Sequence, residues 1–224
     1  MQREIQLTAD GSHTIVLKDR NISYHSTHGA IAESMHVFIQ AGLLPLLATA
    51  SSRPLAVLEI GFGTGLNALL SMREAMRNKQ PVFYTGIELF PVTASEAVML
   101  NYGEKLFMQE AFRKIHLSEW EKPVQLDTYF TLEKKQVAVQ ELVVKNNYNC
   151  IYFDAFAPTE QPEMWTDAVF QKLYKFLQPD GVLVTYSSKT TVRNAMKQAG
   201  FSIRKIPGPY GKREMVRAEK PITI

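Results

Sequence analysis

Three stretches of the chain combine residue types and spacing that can do chemistry. The first is Glu59-Ile60-Gly61-Phe62-Gly63-Thr64-Gly65, which follows a short apolar run and precedes a helical pattern. Glycines between a strand and a helix let the backbone turn tightly and approach a ligand, and the helix N-terminus beyond them offers free N–H groups. A dinucleotide fingerprint needs glycine at the last position of Gly-x-Gly-x-x-Gly, where this chain has Leu66, and the Gly-Lys-Ser/Thr of a P-loop is missing. The second stretch is Phe83-Tyr84-Thr85-Gly86-Ile87-Glu88. An acidic residue at the tip of the next strand, about 20 residues past such a loop, accepts hydrogen bonds from both hydroxyls of a ribose. The third is Ile151-Tyr152-Phe153-Asp154-Ala155-Phe156-Ala157-Pro158. Ligands of open α/β sheets sit outside the carboxyl ends of the strands, which sets Asp154 beside the reacting group, with Phe156 close enough to stack on a base or on adenine.

Acidic-x-Gly-x-Gly-x-Gly is the spacing of S-adenosylmethionine-dependent methyltransferases of the Rossmann-like class. That cofactor carries an ammonium, a carboxylate and a sulfonium, which glycine amides and an acidic strand end suit better than they suit a pyrophosphate. The expected cofactor contacts are Glu59, Gly61, Phe62, Gly63, Thr64 and Gly65 in the loop, with Asn67, Glu88, Asp154 and Phe156 around it. Methyl transfer is an in-line displacement at carbon, so alignment of nucleophile and sulfonium is the main task. An amine must arrive unprotonated or lose its proton there, which makes Asp154 the expected catalytic residue, as positioning group or base. His13, His25, His28, His36 and His116 show no ligand spacing joined to a cysteine, so no metal is expected. Cys150 lies inside an apolar strand and reads as core, and Trp165 reads as a packing residue at a helix start.

These residues need elements to hold them. Ile5 and Leu7, then Asp10-Gly11, then Ile15 and Leu17 predict a β-hairpin. Apolar side chains at helical spacing follow from Gly29 to about Ala48. From Leu55 onward strands and helices alternate. Strands are predicted over 55–60, 82–88 and 149–154, within 124–139, and over 181–186. Helices are predicted over 65–79, 91–99, 106–120, 162–177 and 191–199, the last stopping at Gly200. Phe201–Ile206 and Arg213–Ala218 close the chain as a strand pair, which completes a doubly wound α/β sheet.

Composition agrees with a globular chain: 224 residues, 46% hydrophobic and 21% charged, point to one domain and exclude disorder. The ten-residue apolar run Ala41–Ala50 is interrupted by Pro45 and is short of a membrane span, and Met1-Gln2-Arg3-Glu4 does not begin a signal peptide. One cysteine cannot form an internal disulfide, which suits a reducing cytoplasm. Net charge is only +3, yet from Lys189 onward nine basic side chains meet two acidic ones. That local excess of +7 sits on a body of −4, and it points to a polyanionic partner.

The chain resembles the methyltransferase domain of the MnmC-like enzymes, which act on the tRNA wobble uridine. The likeness runs through Tyr24-His25-Ser26, Gly29-Ala30-Ile31-Ala32-Glu33-Ser34, Gly61 to Asn67 and Asp154 to Pro158. It continues in Pro162-Glu163-Met164-Trp165, Gly200-Phe201 and Gly211-Lys212-Arg213-Glu214-Met215. The resemblance implies an α/β, Rossmann-like class I methyltransferase fold with a mixed seven-stranded sheet, helices on both faces and an N-terminal β-hairpin extension. Residues 1–50 would form the extension and 51–224 the core of a single domain. It implies methyl transfer from S-adenosylmethionine to the exocyclic amine of 5-aminomethyl(-2-thio)uridine, giving 5-methylaminomethyl(-2-thio)uridine. It also implies a partner tRNA, met through its anticodon region by Tyr24, Glu33, Phe156, Lys212 and Arg213. Lys189, Arg193, Arg204 and Lys205 are further basic candidates for the same surface. Family members are often fused to an FAD-dependent oxidase that removes a carboxymethyl group; this chain has no room for one, so a stand-alone form with a separate oxidase upstream is expected. Where the family often carries an aspartate reading the adenine amino group, this chain has Val139 and Gln140. Methylation of a small-molecule or protein amine, or a non-catalytic RNA-binding module, remain alternatives.

Overall fold

Alternation at the N-terminus and apolar runs further along produce two separate sheets in the computed structural model, which describes residues 2–49, 53–144 and 147–222. The expected boundary at residues 50 and 51, and the last residue of the Ala41–Ala50 run, lie outside the described residues. Strands β1 (Arg3–Leu7) and β2 (His13–Leu17) pair antiparallel with Ile5 opposite Ile15, as the alternation predicts. A short β3 (Ile22–Ser23) adds to β2, so the expected hairpin is a three-stranded sheet. Two residues of strand are too few to leave a periodic signal.

A continuous helical rod, Ala30–Thr49, follows. It consists of α1 (Ala30–Ser34), a π-wound stretch Met35–Leu43 and α2 (Leu44–Thr49). At 20 residues it is long and apolar enough to span a bilayer. Its buried Val37, Phe38, Ile39 and Leu43 instead share one core cluster with Tyr152 and Val184 of the main sheet. The rod comes so close that a Cβ on Gly42 would stand 3.0 Å from Val184 and 3.2 Å from the sulfur of Cys150. Cys150 is fully buried there, as its apolar strand predicts.

The main sheet is built from β4 (Leu55–Ile60), β5 (Val82–Ile87), β6 (Pro123–Asp127), β7 (Phe130–Lys135), β8 (Tyr148–Phe153), β9 (Leu177–Thr185), β10 (Ser202–Pro207) and β11 (Glu214–Glu219). Its order is β10-β11-β9-β8-β4-β5-β7-β6, with the five central strands parallel and β11, β10 and β6 antiparallel. The sheet is mixed, as expected, but has eight strands where seven were predicted. The additional one is β6, which none of its residues buries fully, so it has no apolar run to announce it.

The helices after the rod are α3 (Leu66–Asn78), α4 (Ala94–Ala97), α5 (Tyr102–Leu106), α6 (Gln109–Leu117), α7 (Asp167–Phe176) and α8 (Thr190–Gln198). The rod, α3 and α6 pack in the cluster on one face of the sheet, and α7 and α8 in the cluster on the other. The helix expected over 106–120 is α6, which is shorter at both ends; α5 precedes it as a helix not expected from the sequence and stops where Phe107 adopts φ 56°. The one expected over 91–99 contracts to α4, where Thr93 and Glu96 form a reciprocal capping box. The one expected over 162–177 keeps a single 3₁₀ turn at Pro162–Met164, then restarts at the Thr166 cap of α7.

Candidate active site

The carboxyl ends of β4, β5 and β8 meet at one cleft of about 250 Å³. After β4 the chain turns through Gly61 at φ 88° and Gly63 at φ 49°, in the left-handed region that L side chains avoid. A Cβ on Gly61 would stand 2.6 Å from the Asp154 carbonyl oxygen, so the β4 and β8 loops touch backbone to backbone. The Gly63 N–H donates to Glu88 at 3.0 Å, and the Phe90 N–H donates to the other oxygen of that carboxylate at 2.9 Å. Loop and strand-end glutamate therefore form one unit.

A buried histidine and a half-buried one hold the loop from beneath. His116 Nε2 donates to the Thr64 carbonyl at 3.1 Å, and His25 Nε2 lies 3.4 Å from the Thr64 hydroxyl. Burial lowers both imidazoles to about 4, which keeps them neutral at physiological pH. Their place beside Thr64 left no trace in sequence, because neither stands near the loop in the chain.

Asn67, in the first turn of α3, donates to Glu59 at 2.8 Å and to Asp154 at 2.9 Å. One amide thus ties the end of β4 to the tip of β8. Glu59 is fully enclosed, and burial followed by the Asp154 charge pushes its carboxyl well above the usual range. Asp154 keeps part of its surface open to the cleft. Removal from water, then the Glu33 charge, raises its carboxyl to about 8, against lowering contributions from Asn67 and Lys212.

The loop after Asp154 is pinned at three points. Tyr186 Oη donates to the Ala155 carbonyl at 2.8 Å, Trp165 Nε1 donates to the Phe156 carbonyl at 2.8 Å, and the Phe156 N–H donates to Gln161 at 3.0 Å. Trp165 is buried, as a packing residue should be, and it also fixes the loop through its indole N–H.

A model of the family described as S-adenosyl-L-methionine-dependent methyltransferase matches residues 96–221. The chain belongs to this family. The tRNA 5-methylaminomethyl-2-thiouridine biosynthesis bifunctional protein MnmC of Leptospira borgpetersenii serovar Hardjo-bovis (strain JB197) is 30% identical over 207 residues, 86% of this chain and 31% of that protein. The protein of the same name from Cupriavidus necator is 29% identical over 209 residues, 87% of this chain and 31% of the relative. The methyltransferase therefore spans less than a third of the length of these relatives. The crystal structure of MNMC2 from Aquifex aeolicus matches with a TM-score of 0.76 at 25% identity, covering 100% of this chain and 73% of the other. A spermidine synthase from Thermotoga maritima shares the fold, with a TM-score of 0.58 at 17% identity, covering 99% of this chain and 70% of that one.

The residues of the methyltransferase fit its cofactor. Glu59 Oε2 and Asn67 Oδ1 are buried acceptors with no hydrogen-bond partner, next to the carboxylates of Asp154 and Glu88. A cluster of acceptors short of positive charge suits an ammonium or a sulfonium. Gly61, Phe62, Gly63, Thr64 and Asn67 line the cleft, as do Glu88, Asp154 and Phe156. Glu59 lies behind the wall and holds Asn67, while Gly65 caps α3 at φ 72°. Phe62 turns its ring inward against Gly86 and Trp120, so it meets the cleft chiefly with its backbone. Val137, Ala138 and Val139 form another part of the wall, and Glu163 is a further lining carboxylate. Gln140 turns toward the Glu163 carbonyl, 3.4 Å away.

The N-terminal sheet roofs this cleft, a role its sequence pattern does not reveal. Arg3 donates to the carbonyls of Phe90 and Pro91 and pairs with Glu96 at 3.0 Å on one side. Arg20 donates to the Glu160 carbonyl at 2.8 Å on the other. Tyr24 meets Phe156 edge-on at 5.1 Å. Of the residues expected to meet RNA, Glu33 accepts from Lys212 at 2.8 Å, and Lys212 also lies 4.0 Å over the Tyr186 ring. Lys205 is held by Glu214 at 2.8 Å, and Arg193 donates to the Ser188 carbonyl and to Thr190. Arg204 and Arg213 are exposed.

Proposed function

We propose that this methyltransferase acts on the exocyclic amine of 5-aminomethyl(-2-thio)uridine at the tRNA wobble position, giving 5-methylaminomethyl(-2-thio)uridine. The observation that carries this reading is Asp154, a half-buried carboxyl raised to about 8 at the tip of β8 and aimed at the cleft. Support comes from the likeness of 86% of the chain to a protein named for this nucleoside.

S-adenosylmethionine, when bound, supplies an electrophilic methyl on its sulfonium. The chain supplies the rest. Asn67 fixes the Asp154 carboxylate by a 2.9 Å hydrogen bond. The free Asp154 oxygen accepts from the incoming ammonium and takes one proton before attack; the neutral amine then turns its lone pair to the methyl, and the pair of the broken C–S bond would stay on sulfur as a thioether. A base with a pKa near the working pH serves this step well, and only its ionised form can accept. Activity of the free enzyme therefore rises with pH through about 8. Phe156 and Tyr24 give the uracil ring an aromatic wall. The roof over the cleft, with Arg3 and Arg20 holding it down, keeps water from the reacting pair.

In this reading residues 1–224 work as one domain in the cytoplasm, and the anticodon region of the tRNA enters beside Phe156. The amine is supplied upstream, by an FAD-dependent oxidase activity that removes a carboxymethyl group or by another wobble-modification enzyme. Nucleoside mass spectrometry of tRNA from cells lacking this protein tests it. Accumulation of the 5-aminomethyl nucleoside and loss of its N-methyl product is the expected result; an unchanged N-methyl pool contradicts it.

A further inference from the structure

We infer that the basin between the end of β9, the N-terminus of α8 and the β10–β11 turn is a phosphodiester subsite that holds the RNA backbone beside the methylated nucleotide. The inference rests on the RNA substrate proposed above. The basin encloses about 440 Å³, and Ala157 and Pro158, three and four residues past Asp154, form one wall. A ligand seated there is contiguous with a substrate at Asp154.

Its other walls carry anion-binding groups of different kinds. Ser187 and Ser188 precede α8, a nine-residue helix whose N-cap Lys189 gives no side-chain cap, so the first-turn amides remain for another acceptor. Ser187 is 6% exposed and lines the basin, yet its hydroxyl makes no hydrogen bond among the described residues. Its oxygen is reached from the basin, so the hydroxyl is free to donate to a ligand seated there. Arg193 fastens the Ser188 carbonyl at 3.2 Å and the Thr190 hydroxyl at 2.9 Å, which fixes the shape of this turn.

The cations sort by partner. Lys212 is matched by Glu33 at 2.8 Å, and the Glu214 carboxylate, which also lines the basin, is matched by Lys205 at 2.8 Å. Lys189 and Arg213 line the basin, are exposed, and have no ion pair among the described residues. With Glu214 neutralised, these two leave the basin positive. Helix amides, a hydroxyl, a guanidinium and an ammonium around one pocket are the donors that a phosphodiester accepts.

The test is fluorescence anisotropy of an anticodon stem-loop RNA over a series of salt concentrations. It compares the parent protein with Lys189→Ala/Arg213→Ala and with Ser187→Val, each checked for an unchanged melting temperature. The double variant should bind about tenfold more weakly, with a salt slope reduced by about 0.7 per lost single-strand phosphate contact. Ser187→Val should weaken binding about two- to threefold at an unchanged slope, since a neutral donor releases no counterion. Parent-like affinity and slope in the double variant overturns the subsite. So does a parent protein that binds an acidic peptide and not RNA. Failure of the nucleoside assay defeats the substrate reading, whereas parent-like RNA binding by the double variant defeats only the basin.

Discussion

The cofactor cleft and the basic basin lie on either side of the Asp154–Pro158 loop, and they are assembled in opposite ways. The cleft gathers carboxylates: Glu59 and Asp154 share Asn67, Glu88 folds onto Gly63, and two buried acceptors stay unpaired. The basin gathers Lys189, Arg213, a helix N-terminus and an unpartnered hydroxyl. The cleft suits a ligand with positive centres, the basin one with negative charge. The Lys212–Glu33 pair stands between them and is felt at Asp154. Charge separated this way would let one loop serve both the proposed cationic methyl donor and the proposed anionic chain without either site attracting the other's ligand.

The largest effect falls on the cleft. Gly63→Val puts a branched side chain at φ 49° and against the Tyr24 ring, which would lie 3.2 Å from the new Cβ. Isothermal calorimetry should show S-adenosylmethionine binding abolished; unchanged affinity would remove the cleft as the cofactor site. Next comes the amide shared by two carboxyls. Asn67→Leu leaves Glu59 and Asp154 without their donor and should cost about 1–3 kcal/mol of stability in denaturant titrations. Trp165→Phe keeps the packing on Phe153 but loses the hydrogen bond to Phe156, worth about 1 kcal/mol, and KM for RNA should rise with little change in cofactor affinity.

A smaller effect has a definite sign. Asp154 is raised from 3.8 to about 8 on folding, so between those values the folded chain holds a proton that the unfolded chain has released. The stability this group contributes is full below 3.8 and is lost as pH rises through about 8. Asp154→Asn cannot titrate. Its melting temperature should decline less than the parent's between pH 5 and pH 9, by a few degrees, since a chain of this size moves about 2–4 °C per kcal/mol. Parallel curves would mean that the carboxyl is not raised.

The same contrast explains what the sequence made legible. The glycine loop, Glu88 and Asp154 each end a parallel strand, and the alternating βα pattern carries them to one edge without further information. Residues that shape the cleft from other layers were invisible: Arg3 and Arg20 in the roof and His116 behind Thr64, while His25 stood out only through the family motif and not through its place beside Thr64. No local period connects them to the loop they serve. Charge counting found the basic C-terminal segment but could not sort it. Lys212 reads as a phosphate contact until Glu33, 179 residues earlier, is seen 2.8 Å away. Ser187 escaped for the opposite reason, since an ordinary serine becomes informative only when its place on the wall of the basin is known. β6 was hidden because none of its side chains is fully buried, and α5 because five residues are too few to set up a helical period.

The central claim is that Asp154 handles the proton of an RNA amine beside the bound cofactor. Single-turnover methyl transfer from labelled S-adenosylmethionine to tRNA bearing 5-aminomethyluridine, comparing the parent with Asp154→Asn at saturating cofactor, tests it most directly. The account predicts a rate lower by about 10²–10⁴-fold in the variant, with cofactor affinity changed little. A loss below about threefold, or equal transfer rates across the pH range, would contradict it.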